Sequence, residues 1–177
     1  DPRDQCVSAR RIWKKNIYRS AQIWKDSIEN ARKVVLKSNL DYLEVKYEDL
    51  LENPELTITE ICQYLNCDYS QSMLLFKDSV ENYGDAKGLY IIKKDNYNKF
   101  KDILSAPEIK KIERITVTIM KSLKYELMNE VNQIDLNPFE QFVYQLYDFI
   151  QNYIFHIKEK GLLDGVRYLR SLSISKK

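Results

Sequence analysis

The sequence predicts an α/β fold that is mostly helical and has one or two parallel strands. Over residues 17–35 the apolar positions recur at steps of three and four, which predicts an amphipathic helix ending near Asn39. In the next segment, DYLEVKYEDL, the alternation of Leu43, Val45 and Tyr47 with polar or aromatic residues has the two-residue period of a strand. A helix that leads into a strand favours an α/β layer.

Further helices are predicted from their start signals. An Asn-Pro pair begins a helix over residues 53–66, and Ser70 is the expected cap of a short helix in DYSQSMLLF. SAPE, residues 105–108, is a capping box. Residues 137–140 are also arranged for capping, and the helix that they begin ends before Gly161.

The longest irregular stretch runs from Val80 to Lys99. It contains two glycines and the pair Lys93 and Lys94. Long loops inside a compact domain are uncommon and often functional, so this stretch is the expected place for a loop that covers a ligand.

Composition narrows the class of protein. The chain has 177 residues, 28 Lys and Arg, 26 Asp and Glu, and a formal net charge of +2, which argues against nucleic acid or a membrane surface as its partner. No apolar run approaches the roughly 20 residues that span a bilayer, and no signal peptide opens the sequence. A reducing, cytoplasmic setting is the default expectation.

The residues that build metal sites and hydrolase triads are scarce. Cys6, Cys62 and Cys67 are an odd number without metal-ligand spacing, and the single histidine, His156, is far from them in sequence. We therefore predict neither a metal site nor a Ser-His-Asp triad in this chain.

The opening stretch, DPRDQCVS, predicts the start of a helix. Asp4 is a good helix cap, and a cation such as Arg3 and a hydroxyl such as Ser8 suit an anion at a helix N-terminus. A solvated arginine with an outward serine explains the same residues without any ligand.

The C-terminal helix carries a broad aromatic stripe, from Phe139 to Ile154. Packing against the rest of the domain and a dimer or partner surface both fit this pattern, because a stripe does not name what covers it.

Three stretches together resemble the sulfotransferases that use 3′-phosphoadenosine 5′-phosphosulfate (PAPS). DPRDQCVSA is similar to the family's segment after its third core strand, and YLEVKYEDLLENPELTITEICQYLNCDYSQSML is similar to its strand, Tyr-Glu-Asp-Leu turn and following helix. NKFKDILSAPEIKKIERITVTIMKSLKYEL resembles its closing region. The resemblance implies a P-loop NTPase-like sulfotransferase fold, here truncated.

The resemblance covers residues 1–127, as the C-terminal part of a sulfotransferase domain, and leaves 128–177 as a helical extension of it. It places a strand, an arginine, the loop that holds the 5′-phosphosulfate and often the catalytic base before Asp1. We therefore expect a fragment that is inactive alone and binds adenosine 3′,5′-bisphosphate weakly or not at all.

The resemblance also assigns cofactor-binding residues for PAPS. Ser8 matches the serine that binds the 3′-phosphate, and Arg3 falls on the motif's second basic position. Tyr47 lies where the family places a residue near the adenine, although Tyr47 also suits the end of a strand. Lys93 and Lys94 stand roughly where some members place phosphate-binding cations, although a solvated lysine pair is the favoured interpretation.

Two positions depart from the family pattern. Phe100 replaces the usual tryptophan and keeps an aromatic anchor. Lys124 replaces the glycine of Leu-Gly-Tyr-Glu, so we expect the helix to end differently there, since glycine tolerates a left-handed cap.

The sequence thus predicts part of a sulfotransferase that moves a sulfuryl group to a hydroxyl or amine of a small molecule, glycan or lipid. The alternative is a non-catalytic helical interaction module, with a homodimer through the C-terminal helix as one form of contact. A P-loop kinase fragment is a third option, and it leaves the Tyr-Glu-Asp-Leu and Asn-Pro spacing as coincidence.

Overall fold

The computed structural model describes residues 1–75 and 92–161, and these residues form seven α-helices and one 3-10 turn. In chain order the elements are α1 (Pro2–Trp13), α2 (Ile17–Ser38), α3 (Tyr47–Glu52), α4 (Pro54–Tyr64), the 3-10 turn (Gln71–Leu74), α5 (Phe100–Ile103), α6 (Ala106–Ser122) and α7 (Pro138–Lys160).

The helices begin and end at local signals. Both capping boxes, at Ser105 and at Asn137, are confirmed, and α2 ends at Asn39, whose φ of 48° is left-handed. The expectation that Asp4 caps α1 is wrong: the side chain of Asp1 accepts from the amide of Arg3 at 2.8 Å. Proline directly after Asp1 explains the earlier start, since Pro favours the first helical position.

The end of α6 also differs from our expectation. Lys124 takes the left-handed conformation, with φ of 59°, although it is not glycine. The amide of Tyr125 donates to the carbonyl of Met120 at 2.9 Å, and that of Lys124 to Lys121 at 3.1 Å. These two bonds form a Schellman motif, so the lysine preserves the helix end that a glycine favours.

The core lies where α1, α2 and α6 meet. Cys6 of α1, Ala21 of α2 and Ile112 and Ile115 of α6 are all fully buried, and Phe100 of α5 closes the same cluster. Each helix contributes residues three or four positions apart, so its apolar stripe faces the other two.

Residues 128–136 return along α6 and join α7 to this core. The amide of Ile134 donates to the carbonyl of Arg114 at 2.9 Å, and the amide of the buried Leu136 donates to the side chain of Gln22 at 3.2 Å. The predicted boundary between residues 127 and 128 lies just before this segment, and it stays a prediction.

The predicted α/β fold is wrong, because no β-strand forms in residues 1–75 or 92–161. Residues 40–46 lie outside any helix or ladder, and Tyr47 begins α3 instead of ending a strand. Leu43 and Val45 are exposed, by 39% and 42%. A two-residue alternation becomes a strand only where a neighbouring strand takes up its backbone hydrogen bonds, and the described chain supplies no such neighbour.

The outward side of α7 is apolar. We call it the α7 apolar face; it consists of exposed side chains at Phe139, Phe142, Val143, Leu146, Tyr147, Phe149, Ile150, Tyr153 and Ile154.

Some predictions fall outside the described residues. They concern residues 80–91 of the irregular stretch, the side chain of His156 and residues 162–177. Within the part that is described, no helix combines the length and apolar character needed to cross a membrane.

Candidate functional site

Two of the predicted site residues, Arg3 and Ser8, lie on α1, and Arg3 differs from the other predicted residues because it is buried. Its guanidinium donates to Asp1 at 2.6 Å from Nη2 and at 3.0 Å from Nε, and to Glu113 at 2.7 Å from Nη1. Its carbon lies 4.1 Å from the centre of the Phe100 ring. Burial lowers the pKa of Arg3 in spite of the attraction to Glu113. These contacts give Arg3 a role inside the domain, where it joins α1 to α6.

Asp4 joins α1 to the segment before α5. Its two carboxylate oxygens accept from the amides of Asn98, at 2.6 Å, and Phe100, at 2.9 Å. These amides start a short helix that has no side-chain cap of its own, so Asp4 supplies acceptors from another element. The segment 93–100 is therefore held against the start of α1.

Ser8 is exposed, one helical turn beyond Asp4. Residues four positions apart lie on the same side of a helix, so Ser8 is on the side of α1 that Asp4 turns toward the segment 93–100. Ser8 lies in the second turn of α1, beyond the four amides that a helix start leaves unpaired. The hydroxyl is thus accessible, but it does not share its position with free helix amides.

Tyr47 contacts the same segment from another element. It is the first residue of α3 and is 49% exposed, and its hydroxyl accepts from the side-chain amide of Asn96 at 2.8 Å. Asn96 in turn accepts from the ammonium of Lys99. Tyr47 therefore contacts the same segment as Asp4, from a different helix.

The two predicted lysines belong to this segment. Lys93 is half-buried, with its Nζ 4.0 Å from Asp95, and Lys94 is exposed. Four of the five predicted residues thus stand apart from the buried Arg3. The lysine pair belongs to the segment 93–100, Tyr47 contacts this segment through Asn96, and Ser8 lies one helical turn after Asp4, which also contacts it. We call these four residues the α1 surface.

Sequence reasoning missed the residues that position this surface. Asp4 was interpreted as a cap, and Asn96 and Asn98 had no assigned role. The one available signal was the left-handed tendency of asparagine, which Asn98 uses with a φ of 60°. The hydrogen bond from the amide of Asn98 to Asp4, 94 positions earlier, depends on the tertiary structure.

Next to Tyr47, the side chain of Glu48 accepts from the hydroxyl of Tyr125 at 2.7 Å. Burial and this contact with Glu48 raise the pKa of Tyr125, so its hydroxyl stays protonated at neutral pH. The pair joins α3 to the end of α6.

Side chains suited to metal binding are not clustered within residues 1–75 and 92–161. No cluster of three or more His, Cys, Asp or Glu side chains there could hold a metal ion. Cys6, Cys62 and Cys67 are free thiols, and burial raises the pKa of the Cys6 thiol, which keeps it unreactive.

Two open depressions lie elsewhere on the described surface. One, of about 600 Å³, is lined by Lys121 and residues 127–132. The other, of about 350 Å³, lies between α6 and the start of α7, where Lys111 is paired with Glu140 at 2.9 Å. Neither is lined by the residues of the α1 surface.

Comparison of the chain with family models, with curated proteins and with solved structures finds no match. The likeness to sulfotransferases therefore stays a prediction, carried by the quoted stretches and by the residues that they assign.

Proposed function

We propose that this chain is part of a sulfotransferase, and that its α1 surface meets the 3′-phosphate and adenine of PAPS. In the reaction the donor passes its sulfuryl group to a hydroxyl or amine of a small molecule, glycan or lipid, and leaves as adenosine 3′,5′-bisphosphate. The observation that carries the proposal is the pair of hydrogen bonds from Asn98 and Phe100 to Asp4, since they hold the lysine-bearing segment beside the helix of Ser8.

The chemistry of the surface suits one end of the nucleotide. A hydroxyl and one or two ammonium groups are donors for a phosphate, and an exposed tyrosine ring can stack on a purine. Arg3 is left out of this proposal because its donors are directed to Asp1 and Glu113. We assign no residue of the chain as a catalytic base, and the chain alone is expected to be inactive.

A cytoplasmic location belongs to the same proposal. Its support is the state of the three cysteines, which are all free.

The test is a titration of the ¹⁵N-labelled chain with adenosine 3′,5′-bisphosphate up to millimolar concentration, followed by NMR. We expect weak binding, with amide shifts at Ser8, Tyr47 and Lys94. Adenosine 5′-monophosphate, which lacks the 3′-phosphate, should give smaller shifts. Ser8→Ala should weaken binding several-fold, and Ser27→Ala, an exposed serine of α2, should not.

Two results contradict the proposal. One is the absence of shifts at the α1 surface at millimolar nucleotide. The other is binding that Ser8→Ala and Lys94→Ala leave unchanged. Submicromolar binding would contradict the expectation of a weak, partial site.

A second candidate function is favoured by a separate observation. The α7 apolar face is turned to solvent, which is typical of a protein-interaction surface. We propose as the alternative that the chain is a helical interaction module with α7 as its contact surface.

A further inference from the structure

Helix α7 packs on the domain with a side that mixes polar and aromatic residues. The carboxylate of Asp148 accepts from the amide of Asn16 at 2.7 Å and from Arg19 Nη1 at 2.9 Å. One turn earlier, the ring of Tyr144 lies 5.9 Å from that of Tyr18. Further along the same side, the ring of Phe155 lies 6.3 Å from that of Trp13. An ion pair and two aromatic contacts therefore dock this helix, whereas core-facing helices are usually docked by an apolar stripe.

The α7 apolar face covers the opposite half of the helix. At about 100° per residue, its nine side chains follow one another around an arc of roughly 160°. They remain open to solvent, with exposed fractions that range from 37% at Tyr153 to 74% at Phe139. A continuous apolar arc of this width is unusual on the surface of a monomer.

From this arrangement we infer that the α7 apolar face is the contact surface of a symmetric homodimer. The inference rests on the second proposed function and is independent of the nucleotide site. In a twofold pair, the α7 helix of one copy packs against the α7 helix of the other, so the same residues serve both sides.

The charges on α7 favour a second copy as the occupant. Between Phe139 and Ile154 the sequence has only two charged residues, Glu140 and Asp148, and both are paired with cations of their own chain. Two identical faces can therefore meet without repulsion between like charges. A membrane-surface helix usually carries lysines and arginines on its polar side, and this stretch of α7 has none.

The available area also fits a dimer. The nine large side chains are about half exposed. Together they offer on the order of 800 Å² of accessible surface per copy, which is close to the area that each partner buries in a standard interface. Aromatic residues, which are enriched in such interfaces, make up five of the nine.

The test is sedimentation velocity of the full chain between about 1 and 200 μM, with circular dichroism to verify folding. We expect a concentration-dependent dimer. Leu146→Glu, at the centre of the face, should raise the dissociation constant at least about tenfold, because a charge would be buried without a partner. Gln145→Glu adds the same charge on the neutral flank of α7, where it is exposed, and should change dimerisation little.

Other outcomes overturn the inference and separate it from the second proposed function. A chain that stays monomeric at 200 μM, or a dimer that Leu146→Glu leaves intact, excludes α7 as the dimer contact. If the monomer floats with vesicles of phosphatidylcholine and phosphatidylserine, α7 is an interaction surface with a different occupant. If the monomer neither floats nor binds the apolar dye ANS, the interaction surface fails as well.

Discussion

The buried carboxylate of Glu113 gives the sharpest test of how this fold is held together. Its side chain is completely buried in α6 and accepts three hydrogen bonds. They come from Arg3 Nη1 at 2.7 Å, the amide of Met128 at 2.8 Å and the side chain of Asn129 at 2.8 Å. One carboxylate thus connects α1, α6 and the segment that returns along α6.

Glu113→Gln keeps the shape of this side chain and removes its charge. Removing one partner of a buried ion pair costs about 3–5 kcal/mol, because the other charge stays buried without compensation. Asp1 still faces the guanidinium at 2.6 Å, so we expect the lower end, about 3 kcal/mol. Such a loss is a large share of the roughly 5–15 kcal/mol that stabilises an ordinary domain.

Urea unfolding followed by circular dichroism measures this change in the free energy of unfolding. The matched control is Glu108→Gln, which removes the charge from a pair of equal length, 2.7 Å, with Arg10. That pair is partly exposed, and glutamine also serves in a capping box, so we expect a loss below about 1 kcal/mol.

A double-mutant cycle with Arg3→Met isolates the contact between Arg3 and Glu113. We expect the two losses to be non-additive by about 2 kcal/mol, because Glu113→Gln does little harm once the guanidinium is absent. Equal losses from the two Glu→Gln variants, or additive losses in the cycle, would refute the role that we give to this pair.

Three further predictions concern other parts of the chain. Lys124→Gly should raise the free energy of unfolding by about 1 kcal/mol in urea titrations, since glycine accepts a left-handed φ without strain. Lys110→Gly, in the interior of α6, should lower the free energy of unfolding by about as much. A loss of stability in both variants contradicts the reasoning. A hydrogen bond from a lysine of α6 lowers the pKa of Glu140 below its usual 4.5, so the contribution of ionised Glu140 to the free energy of unfolding is complete above pH 4.5 and is lost as the pH falls through the lowered pKa. The melting temperature should therefore drop between pH 5 and 3, and it should drop less steeply in Glu140→Gln. Equal slopes in the two proteins would contradict this prediction. Asp4→Ala should speed hydrogen exchange at the amide of Asn98, measured by NMR, and unchanged exchange means that Asp4 does not anchor this segment.

The sequence determined the local structure of this protein. The caps at Ser105 and Asn137 and the end of α2 at Asn39 follow from interactions within one helical turn, which a pattern of neighbouring residues specifies in full. The exposed Ser8 and the lysine pair were selected from sequence patterns, and their functional assignment stays a prediction.

Tertiary structure decided everything that depends on distant partners. A strand needs a second strand, so the alternation at residues 41–47 did not fix its own outcome. Arg3 had the chemistry of a phosphate ligand, and only the approach of Glu113, 110 positions away, shows that its charge is used inside the domain. The same holds for α7, whose aromatic stripe suited either a core or a surface: docking through Asp148 left that stripe facing solvent, because the free energy of packing belongs to pairs of elements and not to one helix.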